Sequence, residues 1–177
     1  ITTTAEQRSR RNKGEAIRLL SSLIEKNAGD LNLLRDVGFW IMKWGETAQS
    51  YSIFRKLIDR RPFQPASYQL IAQALQDMGK NELAMLYYEV VLNIQWSSEY
   101  AGIQNVVRVE YIHLLNKMLE ASGSSKVISS DFMEQRLASL SKVLRGNGFF
   151  VDKADLLVTI NWNTDETDVD LHITEGN

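Results

Sequence analysis

Apolar residues recur along this chain at helical spacing, and they do so twice in the same order. Leu34, Val37 and Ile41 fall three and four residues apart, which places them on one side of a helix. Tyr68, Ile71 and Leu75 repeat that spacing. Each run ends at a glycine, Gly45 or Gly79, and is followed by a second run: Ser50, Phe54 and Leu57 after the first, Ala84, Tyr88 and Val91 after the second. The pattern predicts two helix hairpins, related by an offset of 34 residues.

The equivalent positions agree in size as well as in polarity. Gly38 stands over Ala72 and Ser50 over Ala84, small residues where the two helices of a pair must approach closely. Trp44 stands over Met78 at the end of the first helix, and Gly45 over Gly79, where a left-handed residue closes a helix without a Cβ clash. In these residues the chain resembles the tetratricopeptide repeat family, closely over 65–98 and more loosely over 31–64. Pro62 keeps the consensus proline of the first unit, and Trp96 replaces it in the second.

Upstream, Ala16, Leu20 and Leu23 align with Ser50, Phe54 and Leu57, so 15–26 reads as the second helix of a preceding partial unit spanning 1–30. The lead through residue 13 is polar and basic, with Arg8, Arg10, Arg11 and Lys13, and reads as a solvated face or an unstructured lead. Downstream, Ser97 or Ser98 is the expected N-cap of a longer helix over 99–121, whose stripe Ile103, Val107, Tyr111, Leu114, Met118 is out of phase with the repeat. The small polar stretch 121–130 predicts a loop. Ser130 and Asp131 then open a helix with Met133, Leu137, Leu140 and Leu144 on one side and Gly146 at its end. The pair over 99–147 is expected to cap the array, as terminal repeats must.

After Gly148 the period changes from helical to alternating. Leu156, Val158, Ile160 and Trp162 point one way, and after a turn Val169, Leu171 and Ile173 do the same, predicting two strands. The fold expected is therefore mainly α, a tetratricopeptide-like superhelix of hairpins over 1–98, its cap, and over 148–177 a β hairpin that begins an incomplete β domain.

The run NWNTDETDVDLHI resembles the start of a bacterial C-terminal domain of unknown function, family 2135, through Trp162, Asp165, Thr167, Asp168, Val169, Asp170, Leu171, His172 and Ile173. That resemblance covers the tail alone and implies a larger bacterial protein, with a lean to the periplasm or cell envelope. Asp165, Asp168 and Asp170 offer hard oxygen ligands and mark a candidate calcium site, although calcium takes about six to eight oxygens. The competing reading has Asn163 and Asp165 capping the turn through their own backbone. His172 has no neighbouring histidine or cysteine with which to complete a zinc site, and His113 reads as structural.

Composition narrows the functional classes. Over 177 residues, 20 basic against 22 acidic side chains give a net charge of −2, without the basic footprint of a nucleic-acid binder. No apolar run is long enough to span a bilayer. The sequence has no cysteine, so no thiolate chemistry or disulfide framework, and it begins ITTTAEQ, which is expected of a piece of a longer protein. It carries no phosphate-binding loop, dinucleotide fingerprint, nucleophile elbow or zinc-binding histidine pair, and no enzyme activity or other cofactor is expected.

The family resemblance implies a protein-binding groove along the first helix of each unit. Its positions here are Arg35, Phe39 and Lys43 in one unit and Gln69, Gln73 and Gln76 in the next. The amides suit a peptide backbone and Arg35 an acidic side chain, so the expected partner is a protein or an extended peptide. The alternative is a structural spacer that presents the β domain.

Overall fold

The structure, a computed structural model, describes residues 2–121 and 127–149, with side chains from Asn12 onward. Seven α-helices account for most of them: α1 (Thr2–Lys26), α2 (Leu31–Lys43), α3 (Thr47–Arg60), α4 (Pro65–Asp77), α5 (Asn81–Asn93), α6 (Ile103–Glu120) and α7 (Ser130–Gly146). Each packs on the next in the chain, and α6 also reaches back to α4, so the helices stack in the manner of a helical repeat. The expected β hairpin, and with it Asp165, Asp168, Asp170 and His172, lies outside the described residues.

Local sequence sets the helix ends. The Asp30 carboxylate caps α2 by accepting from the backbone N–H of Asn32 at 3.0 Å and of Leu33 at 2.9 Å. Pro65 starts α4, where its missing N–H has no helical partner to lose. α2 and α4 end alike. Gly45 (φ 80°) donates to the Met42 carbonyl and Glu46 to that of Ile41, while Gly79 (φ 70°) donates to Gln76 and Lys80 to Leu75. The 34-residue offset is thus present in the backbone hydrogen bonds.

The same offset holds in the core. Val37, Ile41, Phe54 and Leu57 of the first hairpin are buried, as are Ile71, Leu75, Tyr88 and Val91 of the second. A continuous cluster runs from Leu34 to Leu144, so the out-of-phase α6 and α7 share it. Gly38 shows why a small residue is needed: a Cβ there would run into the Phe54 ring and sit 3.1 Å from Ile53 Cγ2. Trp96, in place of a proline, donates its indole N–H to the Val91 carbonyl at 2.8 Å and lies against Tyr68.

Several expectations are corrected. The helix over 99–121 begins at Ile103, and its N-cap is Gly102 (φ 94°) rather than Ser97 or Ser98, because a single 3-10 turn over Ser98–Tyr100 comes first. α7 does end at Gly146, and the left-handed residue comes two positions later at Gly148 (φ 84°), with Phe149 donating to the Leu144 carbonyl. α1 is one continuous helix that includes the basic lead. Leu23, aligned with buried Leu57, stays 41% exposed, since α3 lies between α2 and α4 while α1 packs chiefly on α2.

Candidate functional site

The six residues expected to line a groove separate into two sets. Of those on α2, Phe39 and Lys43 line an open cleft of about 390 Å³, walled also by Trp40 and Met42 of α2 and Asp77 of α4. Trp40 is 52% exposed and Phe39 38%, large apolar surfaces that the chain leaves in water. The Phe39 ring meets Phe54 edge-on at 5.9 Å between centroids, which fixes its orientation from below. The Lys43 ammonium lies 5.4 Å from the Trp40 ring centroid, a cation–π contact that keeps the charge beside the cleft. Arg35, one turn earlier, is turned onto Asp36 at 2.8 Å, so its charge is already partnered.

The amides of α4 are committed to the chain itself. Gln69 is buried, and its Nε2 donates to Glu110 Oε1 at 2.7 Å. Gln73 Nε2 donates to the same oxygen at 2.9 Å. Gln76 Nε2 donates to the Tyr88 hydroxyl at 2.5 Å, and that hydroxyl donates to Glu110 Oε2 at 3.2 Å. Three helices therefore meet in one polar cluster: α4 supplies amides, α5 a phenol and α6 a carboxylate.

Burial pushes the Glu110 carboxyl above the ordinary carboxylate range, against the opposing pull of the hydrogen bonds from Gln69, Gln73 and Tyr88. Burial and the neighbouring carboxylate push the Tyr88 phenol far upward as well, so it remains a hydroxyl. A second polar junction lies close by. Arg136 of α7 grips Glu89 of α5 with Nε–Oε1 at 2.7 Å and Nη2–Oε2 at 2.6 Å, and its guanidinium sits 6.0 Å from the Tyr111 ring centroid.

Trp40 and Asp77 of the cleft, and Glu110 of the polar cluster, were not among the residues that the repeat pattern singles out. One signal for Trp40 was present, because adjacent Phe39 and Trp40 cannot both lie on a core stripe made of Leu34, Val37 and Ile41. For Glu110 there was only its position next to Tyr111 on a helix with no clean polar side. Among the described residues no cluster of histidine, cysteine and acidic side chains is arranged to hold a metal. None of their helices is long and apolar enough to cross a membrane.

Compared with protein-family models, with curated proteins and with solved structures, the chain finds no match.

Proposed function

We propose that the chain is a protein-interaction scaffold that takes up an extended peptide segment across α2 and α4, seating an apolar side chain of the partner in the cleft beside Trp40. The observation that carries this is the exposure of Trp40 and Phe39 together at a concavity of about 390 Å³. Aromatic surface in a shaped pocket is where binding energy concentrates, and Met42 supplies a wall that adapts to the side chain it meets. Lys43 and Asp77 put opposite charges on the rim, complementary to the dipoles of a peptide rather than to a ligand of one charge. The resemblance to tetratricopeptide repeats agrees, since these positions lie on the helix that lines the groove in that family. The resemblance of the tail supports reading the scaffold as part of a larger bacterial protein.

The test is selection from a random peptide library with the purified chain, followed by affinity measurement on the Trp40→Ala variant. Trp40 is half in water, so its removal leaves the fold intact. We expect selected peptides to share an apolar residue and to bind the variant about 30-fold more weakly, the loss of a hot-spot side chain. Peptides that bind both proteins equally would overturn the assignment of the cleft.

A second reading, a rigid spacer that orients the segment after α7, is favoured by the Arg136–Glu89 pair, which ties α7 to the second hairpin. Under it the library yields no cleft-dependent binder.

A further inference from the structure

Glu110 lies where α6 crosses α4, and the groups around its carboxylate are donors without charge: Gln69, Gln73 and Tyr88. No charged group on the surrounding described elements pairs with it. Glu89 on α5 and Arg136 on α7 pair with each other. Arg108 on α6 donates to Asn105 at 2.9 Å, and Asp77 on α4 bears on Tyr88. Glu110 is therefore the group in the cluster whose charge is balanced by dipoles alone.

Counting protons along the cluster gives its polarity. A tyrosine hydroxyl has one proton, and while Tyr88 donates it to Glu110 Oε2 its oxygen is free to accept from Gln76. That bond holds the NH₂ end of the Gln76 amide inward and turns the carbonyl end away from the cluster. Gln76 adjoins Asp77, a wall of the cleft, and stands at the 34-residue offset from Met42, another wall.

We propose that Glu110, Tyr88 and Gln76 form a proton-operated relay, in which uptake of one proton by Glu110 reverses the hydrogen bonds and turns over the amide of Gln76, the chain neighbour of the cleft residue Asp77. Protonated Oε2 becomes a donor to the Tyr88 oxygen. Tyr88 keeps its own proton and directs it to the Gln76 carbonyl, which must rotate inward to accept it. Gln69 and Gln73 go on donating to Oε1. One proton enters from water, no other bond is made or broken, and every polar group stays satisfied in both states. The Gln76 edge changes from a hydrogen-bond acceptor, suited to a peptide N–H, to a donor, suited to a peptide carbonyl or carboxylate. The raised affinity of the buried carboxyl for its proton makes the second state accessible above the usual carboxylate range.

This consequence for the groove rests on its reading as a peptide site, whereas the relay itself is read in the free protein. The experiment is NMR of the whole chain, following the Glu110 carboxyl carbon and the Gln76 side-chain amide through a pH series. We expect both to move with one midpoint, above the ordinary carboxylate value of 4.5. Tyr88→Phe should leave Glu110 titrating and uncouple Gln76. Glu110→Gln, a standing copy of the protonated acid, should hold Gln76 at its acid-limit position throughout. A Gln76 signal that stays flat while Glu110 titrates, or that still follows it in Tyr88→Phe, would overturn the relay. Should Tyr88→Phe fail to fold, a Gln76 signal at its alkaline limit in Glu110→Gln would do the same. Failure of the library to yield a peptide leaves this coupling untouched, so the two results separate.

Discussion

Gly38 and Phe54 occupy the same space to within one carbon atom: the phenyl ring fills the room that a Cβ on Gly38 would need. Replacing Gly38 by alanine should force the ring aside and destabilise the fold by about 1–3 kcal/mol, more than the helix propensity gained. Urea unfolding measures this. Adding Phe54→Leu to Gly38→Ala should cost less than the two single losses summed, and strict additivity would show that the residues do not compete for space.

The Arg136–Glu89 pair is three-quarters buried and doubly hydrogen-bonded, between the surface pairs that contribute little and the enclosed ones that cost most to break. Arg136→Ala should lower stability by about 2 kcal/mol, between those two cases. Arg136→Lys should recover only part, because an ammonium lacks the planar fork. Amide hydrogen exchange should show the loss concentrated in α7, and a uniform loss across α2 to α7 would contradict the local role assigned to the pair.

Glu110 makes stability depend on pH in a direction opposite to most paired carboxylates. Its folded-state pKa is raised, so the native state binds its proton more tightly than the unfolded chain does. The contribution is fully present below the ordinary carboxylate value and is lost as the pH rises through the folded one. Glu110→Gln should remove this slope, giving a flatter urea midpoint across that window than the parent chain. Identical profiles would mean that Glu110 titrates as it does in the unfolded state.

Gly79 ends α4 at φ 70°, in open space that a Cβ would not crowd. The effect of Gly79→Ala is therefore conformational strain alone, about 1 kcal/mol. Gly79→Asn should cost less, since asparagine tolerates that region. Thermal unfolding of the two variants checks the order.

The hairpins were legible in the sequence because their determinants are local. Spacing places Val37 and Ile71 on a buried side, and Gly45 and Gly79 mark the helix ends without reference to the rest of the chain. What the pattern could not reveal depended on partners distant in sequence. Gln69, Gln73 and Gln76 have the polarity of groove residues, but the crossing of α6 over α4 brings Glu110 from some forty residues away onto the first two, and Tyr88 of α5 holds the third. Ser97 and Ser98 have the chemistry of a cap, but Gly102 supplies the backbone conformation that α6 needs. Leu23 carries the right side chain for a core, and burial depends on a neighbouring helix that the stripe itself does not specify.

Because each helix rests on its successor, nearly all of the stabilising surface forms between segments adjacent in the chain. Such a topology has short loops to close and little search, so folding should begin in the enclosed α4–α5 hairpin within milliseconds and spread outward in both directions. Unfolding runs the other way. α1, with Leu19 still 72% exposed, should come loose long before the centre does, which gives the molecule a graded mechanical response rather than a single breaking point.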